Sequence, residues 1–137
     1  MERFLEKFSP QIYSIMRLVI GLTYACHGVQ KLFGLLGGFG GEPGATAPLF
    51  SLMGLAGIIE FFGGLLIAAG FLTGWAAFIC SGQMAAAYFM SHAPRGFFPI
   101  LNRGELAAVY SFIFLYIASQ GGGVWSIDRF RDKFQGK

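Results

Sequence analysis

The chain has 137 residues, 55% of them hydrophobic and 12% charged, with a formal net charge of +3. A soluble domain carries about 25% charged residues, so this composition excludes an ordinary water-soluble globule and points to a single small membrane domain, 1–137, with the lipid bilayer as its partner. The basic residues sit at the ends of apolar segments and in the tails instead of forming one patch, which excludes a nucleic-acid partner.

Residues 1–11 place Glu2, Arg3, Glu6 and Lys7 around Phe4, Leu5 and Phe8 and read as a short interfacial helix. No small-residue cleavage site follows, so this start is not expected to be a removable signal. Four apolar segments come next, at about 12–36, 49–72, 75–91 and 105–121. A bilayer core of ~30 Å takes about 20 helical residues. The first two segments meet that length. The last two are short, and the fourth either continues toward Trp125, lies in a locally thin region or is re-entrant. The expected fold is therefore all-α, a membrane four-helix bundle with four transmembrane helices. Residues 126–137 form a second interfacial tail, with Ile127, Phe130 and Phe134 opposite Asp128, Arg131 and Asp132. Arg3, Lys7, Arg129, Arg131, Lys133 and Lys137 lie on one side of such a bundle, against Lys31, Arg95 and Arg103 on the other. The positive-inside bias places both termini in the cytoplasm of a multi-pass protein of the cell (inner or plasma) membrane.

In the first span Arg17, Gly21, Tyr24, Gly28 and Lys31 recur at helical spacing and share one face, which must look into the bundle. His27 and Gln30 flank it. The second span has one charge, Glu60, near its middle. An ionisable group at that depth costs roughly 2.5–3.5 kcal/mol on insertion scales and marks a site. Ala56, Glu60, Gly64 and Ala68 fall every fourth residue, a stripe of small residues that aims Glu60 at a neighbouring helix. Glu60 either meets a ligand or a proton, or pairs with Lys31 or Arg17 to lock two helices together. The third span carries Gln83 in its middle and ends at His92, ahead of Pro94. At the start of the fourth, Asn102 and Glu105 have capping-box spacing, and Glu105 reads either as a cap or as a pocket residue.

Counted by depth, His27, His92 and Glu105 fall in the outer half of the membrane with Glu60 somewhat deeper, so a cavity open to the outer side collects them. Arg17 lies nearer the cytoplasmic side. Cys26 and Cys80 are isolated and about 12 Å apart in depth, which argues against a disulfide and for two small core residues. Metal ligation is not expected, because the candidate ligands come from different helices without tight spacing. The glycine-rich stretch 37–44 reads as a flexible outer loop or lid, and 93–101, with Phe97 and Phe98, as an apolar lid over the pocket.

Arg17 with Gly28-Val-Gln-Lys31, then Glu60-Phe-Phe-Gly-Gly-Leu-Leu-Ile-Ala-Ala-Gly70, then His92-Ala-Pro-Arg-Gly96, Asn102-Arg-Gly-Glu105 and Ser126-Ile-Asp128 occur in an order that resembles the DoxX family over nearly the whole chain. The resemblance implies a four-helix integral membrane protein with oxidoreductase chemistry, since relatives named DoxD and DoxA form a thiosulfate:quinone oxidoreductase. The leading expectation is a component of a membrane oxidoreductase system acting on a quinone or small redox substrate. In it Glu60, His27 and His92 handle protons, and Arg17, Lys31, Gln83 and Glu105 bind the substrate. No redox cofactor motif is evident, and quinone is the one small molecule expected. The alternative is a non-catalytic membrane subunit or a small-molecule binding or transport protein. In either case a homo-oligomer or an accessory place in a larger membrane complex is expected.

Overall fold

A computed structural model describes residues 2–135; Lys137, counted above in the charge asymmetry, lies outside the described residues. Helix makes up 76% of the chain, and no strand occurs among the described residues. The helices are α1 (Glu2–Glu6), α2 (Ser9–Phe33), α3 (Leu52–Ala69), α4 (73–92), α5 (Pro99–Asn102), α6 (Glu105–Gln120) and α7 (Ile127–Phe134). Of these, α2 and α3 are long and apolar enough to cross a membrane, and α6 is a shorter apolar helix.

Local chemistry sets the helix ends, and it moves several of them from the expected positions. Helix α2 starts at Ser9 instead of residue 12, because Pro10 in the first turn forfeits no intrahelical hydrogen bond. It stops at Phe33, not 36, where Gly34 turns left-handed (φ 66°) and its N–H donates to the Gln30 carbonyl. Helix α3 is shorter than 49–72. Ser51 caps its start by accepting the Gly54 N–H at 3.1 Å, and Gly70 (φ 70°) closes its end. Helix α4 begins at Thr73 because a residue of the tail caps it. Asp128 Oδ1 accepts the Leu72 N–H at 2.9 Å, and Oδ2 accepts the Thr73 N–H at 2.9 Å and its hydroxyl at 2.8 Å. Partial burial would raise the Asp128 carboxyl, but the hydrogen bonds from Thr73 and Leu72, with Arg131 nearby, hold it below the ordinary carboxylate range.

Helix α2 packs along α3, α4 packs along α6, and the second half of α3 joins the two pairs. Gly21 and Gly64 let α2 and α3 meet backbone to backbone. A methyl group on Gly21 would sit 2.6 Å from the Ala68 nitrogen, and one on Gly64 2.6 Å from the Ala25 nitrogen. Tyr24, Ile67, Ala77, Cys80, Phe114 and Ile117 form the centre of the core. Cys80 is buried there, but Cys26 lies on the exposed face of α2, so the two cysteines do not share a core environment.

Arg17 is buried, but it does not line the cavity that the other expected substrate-binding side chains Lys31 and Gln83 border. Its guanidinium donates to the carbonyls of Ile67, Ala68 (2.7 Å) and Trp125 (2.6 Å). A cation on the last carbonyls of a helix complements the negative end of its dipole. Arg17 thus anchors the end of α3 and the chain entering α7, and it does not border the polar pocket. The 34–51 connection is likewise tied down and not a loose lid. Ala47 N–H donates to the Lys31 carbonyl at 2.7 Å, Phe39 N–H to Ala45 at 2.8 Å and Gln30 Nε2 to Leu36 at 2.6 Å.

Candidate functional site

Two π-helical turns position the site. One, Ile59–Gly63, interrupts α3 and carries Glu60; the other, Tyr88–His92, ends α4 and carries His92. A π turn holds an extra residue and so re-aims the side chains on either side of it. Gly28 faces the first of them, and a side chain at Gly28 would run into the Phe61 backbone. The bare glycine therefore admits the widened turn against α2.

Glu60 is 3% exposed. Its Oε2 lies 2.6 Å from Lys31 Nζ, and its Oε1 accepts from Gln83 Nε2 at 3.4 Å. The Tyr24 hydroxyl donates to Gln83 Oε1. The amide of Gln83 thereby faces its oxygen to a donor and its nitrogen to a carboxylate, and the four side chains make one string from α2 through α4 to α3 and back to α2. Of the two cations weighed as partners for Glu60, Lys31 is the one that reaches it.

A cavity of about 350 Å³ opens beside this string, within the ~300–1,000 Å³ of small-molecule pockets. His27, Lys31, Glu60, Gln83 and His92 all border it, together with apolar Met53, Met84 and Leu106. His27 stands edge-on to the Tyr110 ring, centroids 6.4 Å apart. The ring of His92 stacks on Tyr88 and its Nδ1 lies 3.1 Å from the Asn102 carbonyl. A carbonyl only accepts, so Nδ1 carries the proton and Nε2 is the free nitrogen of the neutral ring.

Glu105 is not part of this group. It is exposed on α6 and borders a separate surface depression with Ile100, Arg103 and Val109. The capping box does not form either, since Gly104 occupies the cap position. Asn102 is buried and spends its side chain within the 93–104 connection, donating to Gly96 at 2.8 Å and accepting from Gly104 N–H at 2.7 Å. Arg103 turns the chain in a left-handed conformation (φ 59°) and borders the pocket where Glu105 was expected. Phe97 and Phe98 are 85% and 61% exposed and border no part of the pocket, so this connection does not close over it as a lid.

Tyr24, Tyr110, Ser91 and Arg103 line the cavity without having stood out in the sequence. Tyr24 alone carried a signal, its place on the inward stripe of α2. Among the described residues no group of three His, Cys, Asp or Glu side chains gathers as a metal site.

The DoxX family model matches residues 12–93, which cover α2 from Ile12 onward and the whole of α3 and α4. The chain is also similar to an uncharacterized protein of Haemophilus influenzae, 40% identical over 127 residues that cover 90% of this chain and 93% of that protein. No solved structure matches it.

Proposed function

The chain belongs to the DoxX family of membrane proteins, and from that premise we propose that it is a component of a membrane oxidoreductase system, acting on a quinone or similarly small redox substrate in the pocket beside Glu60. The observation that carries this reading is the Lys31–Glu60 pair at the wall of a largely apolar cavity that two histidines also border. Reducing a quinone to a quinol takes two electrons and two protons. Glu60 with His27 or His92 exchanges protons with the ring oxygens. Lys31 and Arg103 supply positive charge for the oxygen as negative charge builds on it. The electrons come from a partner subunit or a second bound substrate.

The surface supports a multi-pass arrangement of four spans. Large apolar side chains are exposed on α2 (Ile15, Leu22), α3 (Leu55, Phe62), α4 (Phe78, Ile79) and α6 (Phe112, Leu115). An apolar girdle on all four is far larger than a soluble monomer exposes, and lipid is what covers it. Helix α4 gains length from its π turn, which continues fifteen α-helical residues by five more. Both termini then face the cytoplasm across the inner or plasma membrane, and the protein works as a homo-oligomer or an accessory subunit.

Purified protein is expected to retain quinone on extraction, and Glu60→Gln to lower quinone-dependent electron flow in host membranes by about tenfold or more. Protein free of quinone, with unchanged electron flow in the variant, sinks the reading. A second reading is favoured by the saturation of Glu60, whose two oxygens are both already engaged. In it the pair locks α2 to α3 in a non-catalytic subunit or a small-molecule binding or transport protein. Lower thermal stability of Glu60→Gln with quinone binding intact would select it.

A further inference from the structure

Beside the polar pocket lies a second cavity of about 310 Å³, between α3 and α4, bordered by Leu55, Ile79, Ala86 and Met90. Met53, Ala56, Gln83, Ala87 and Ser91 border both cavities, so the two meet across a wall of three small side chains, one thioether and one amide. The gap has a cause in the packing. Residues Ile59–Gly63 and Gly64–Ala69 of α3 pack on α4, whereas Leu52–Ile58 pack on α2 instead, and the two helices part toward that end. Leu55, Ile79 and Met90 are about half exposed or more, on the girdle that lipid covers.

The ionisable groups lie wholly on the pocket side of this wall: Glu60, Lys31, His27, His92 and Arg103. Of the residues bordering the other cavity only Gln83 and Ser91 are polar, and both belong to the shared wall. A ligand that spans both cavities must be polar at one end and apolar along the rest. We propose that the substrate is a lipid-soluble quinone, with its ring beside Glu60 and its isoprenoid tail between α3 and α4, entering sideways from the bilayer. This rests on the quinone reading of the pocket and adds to it the class of quinone and the route by which it arrives.

Ala86 borders only the outer cavity, so Ala86→Trp fills the gap and leaves the polar pocket untouched. The protein is reconstituted into phosphatidylcholine nanodiscs and titrated with two probes: a dimethoxybenzoquinone bearing a decyl tail, and the same ring bearing only a methyl group. Ala86→Trp is expected to weaken the tailed probe by about tenfold, the loss of a few buried methylenes, and to leave the tail-less probe unchanged. Equal effects on both probes, or none on either, overturn the tail placement while the quinone reading stands. A wild-type protein that binds neither probe overturns both.

Photo-crosslinking of the wild type guards against a variant that fails to fold. A diazirine at the end of the tail is expected to label Leu55, Ile79 or Met90, and labelling confined to α2 or α6 overturns the proposal. A photoactive phosphatidylcholine that labels the same residues, and that excess tailed quinone does not displace, overturns it by making the gap a site for bulk lipid.

Discussion

Lys31 and Glu60 are 29 residues apart and meet at 2.6 Å, with the Glu60 side chain 4% exposed and that of Lys31 19%. Such a pair roughly balances its own desolvation, but removing one member strands the other. Lys31→Met should therefore cost about 3 kcal/mol, at the low end for a buried pair because Lys31 keeps some contact with solvent. Lys31→Met with Glu60→Leu should recover most of that loss, since both charges are gone. Thermal unfolding in detergent reads the stability of the three proteins, and a double variant as unstable as the single one would remove the pair as the cause. If the pocket works as proposed, the recovered double variant still fails to hold quinone. Asp128 poses a different electrostatic question, because it caps α4 from the C-terminal tail. Its native pKa lies below the reference 3.8, so the unfolded chain takes up the proton first as pH falls. The stabilisation from its charge is complete above about pH 4 to 5 and fades as pH drops through the lower native value. Asp128→Asn should cost about 1 kcal/mol at neutral pH. Its deficit relative to the wild type should shrink in acid, whereas a deficit constant down to pH 2 would assign the loss to shape instead of charge.

The α3 helix shows how far spacing alone can be read. Residues four apart advance about 40° per step on an α-helix, so a stripe of Ala56, Glu60, Gly64 and Ala68 should drift around the cylinder. The π turn at Ile59–Gly63 absorbs part of that drift, and Glu60, Gly64 and Ala68 are all buried. The inward aim of Glu60 was thus legible from the stripe, while the widened turn that produces it was not, because a π turn has no residue signature of its own. The Arg17, Gly21, Tyr24 and Gly28 face was equally legible, being a local regularity of one straight helix. What Arg17 touches was not, because its acceptors are backbone carbonyls on α3 and before α7. Asp128 as the cap of α4 and Arg103 in place of Glu105 failed to show for a related reason: each depends on a contact or a left-handed turn that helical periodicity does not encode. The π turn gives a direct test. Phe62 is 58% exposed, so Phe62→Ala should leave stability and quinone retention near wild type. Deleting Phe62 should convert the turn to α-helix and rotate Glu60 by about 100° relative to Gly64, so that the ion pair and the Gly21–Gly64 contact no longer form together. Loss of both stability and quinone is expected for the deletion alone; wild-type behaviour would show that the widened turn positions nothing.

On the scale of the whole molecule the polar chemistry is divided between two ends. At one, Arg17 holds the end of α3, Asp128 holds the start of α4, and Tyr13 donates to the Gly121 carbonyl at 2.6 Å, so the segment after α6 is stitched to three helices. At the other, the pocket opens among α2, α3, α4 and α6 beside the 34–51 and 93–104 connections. A four-span protein with cytoplasmic termini must put the stitched end inside and the pocket mouth outside, which makes the charge asymmetry of the sequence testable at four exposed positions. Glu42 and Arg95 lie in the two connections at the pocket end, and Lys7 and Lys133 at the other. Each is replaced singly by cysteine in a Cys26→Ser background, leaving buried Cys80 in place. In intact cells a membrane-impermeant maleimide is expected to label Glu42→Cys and Arg95→Cys, and to reach Lys7→Cys and Lys133→Cys only after the membrane is opened. Labelling of Lys133→Cys without Lys7→Cys in intact cells would mean an odd number of crossings and a re-entrant or uninserted helix. Labelling of the reverse pair would turn the pocket mouth toward the cytoplasm, where a soluble reductase and not an outer-side donor would have to feed it.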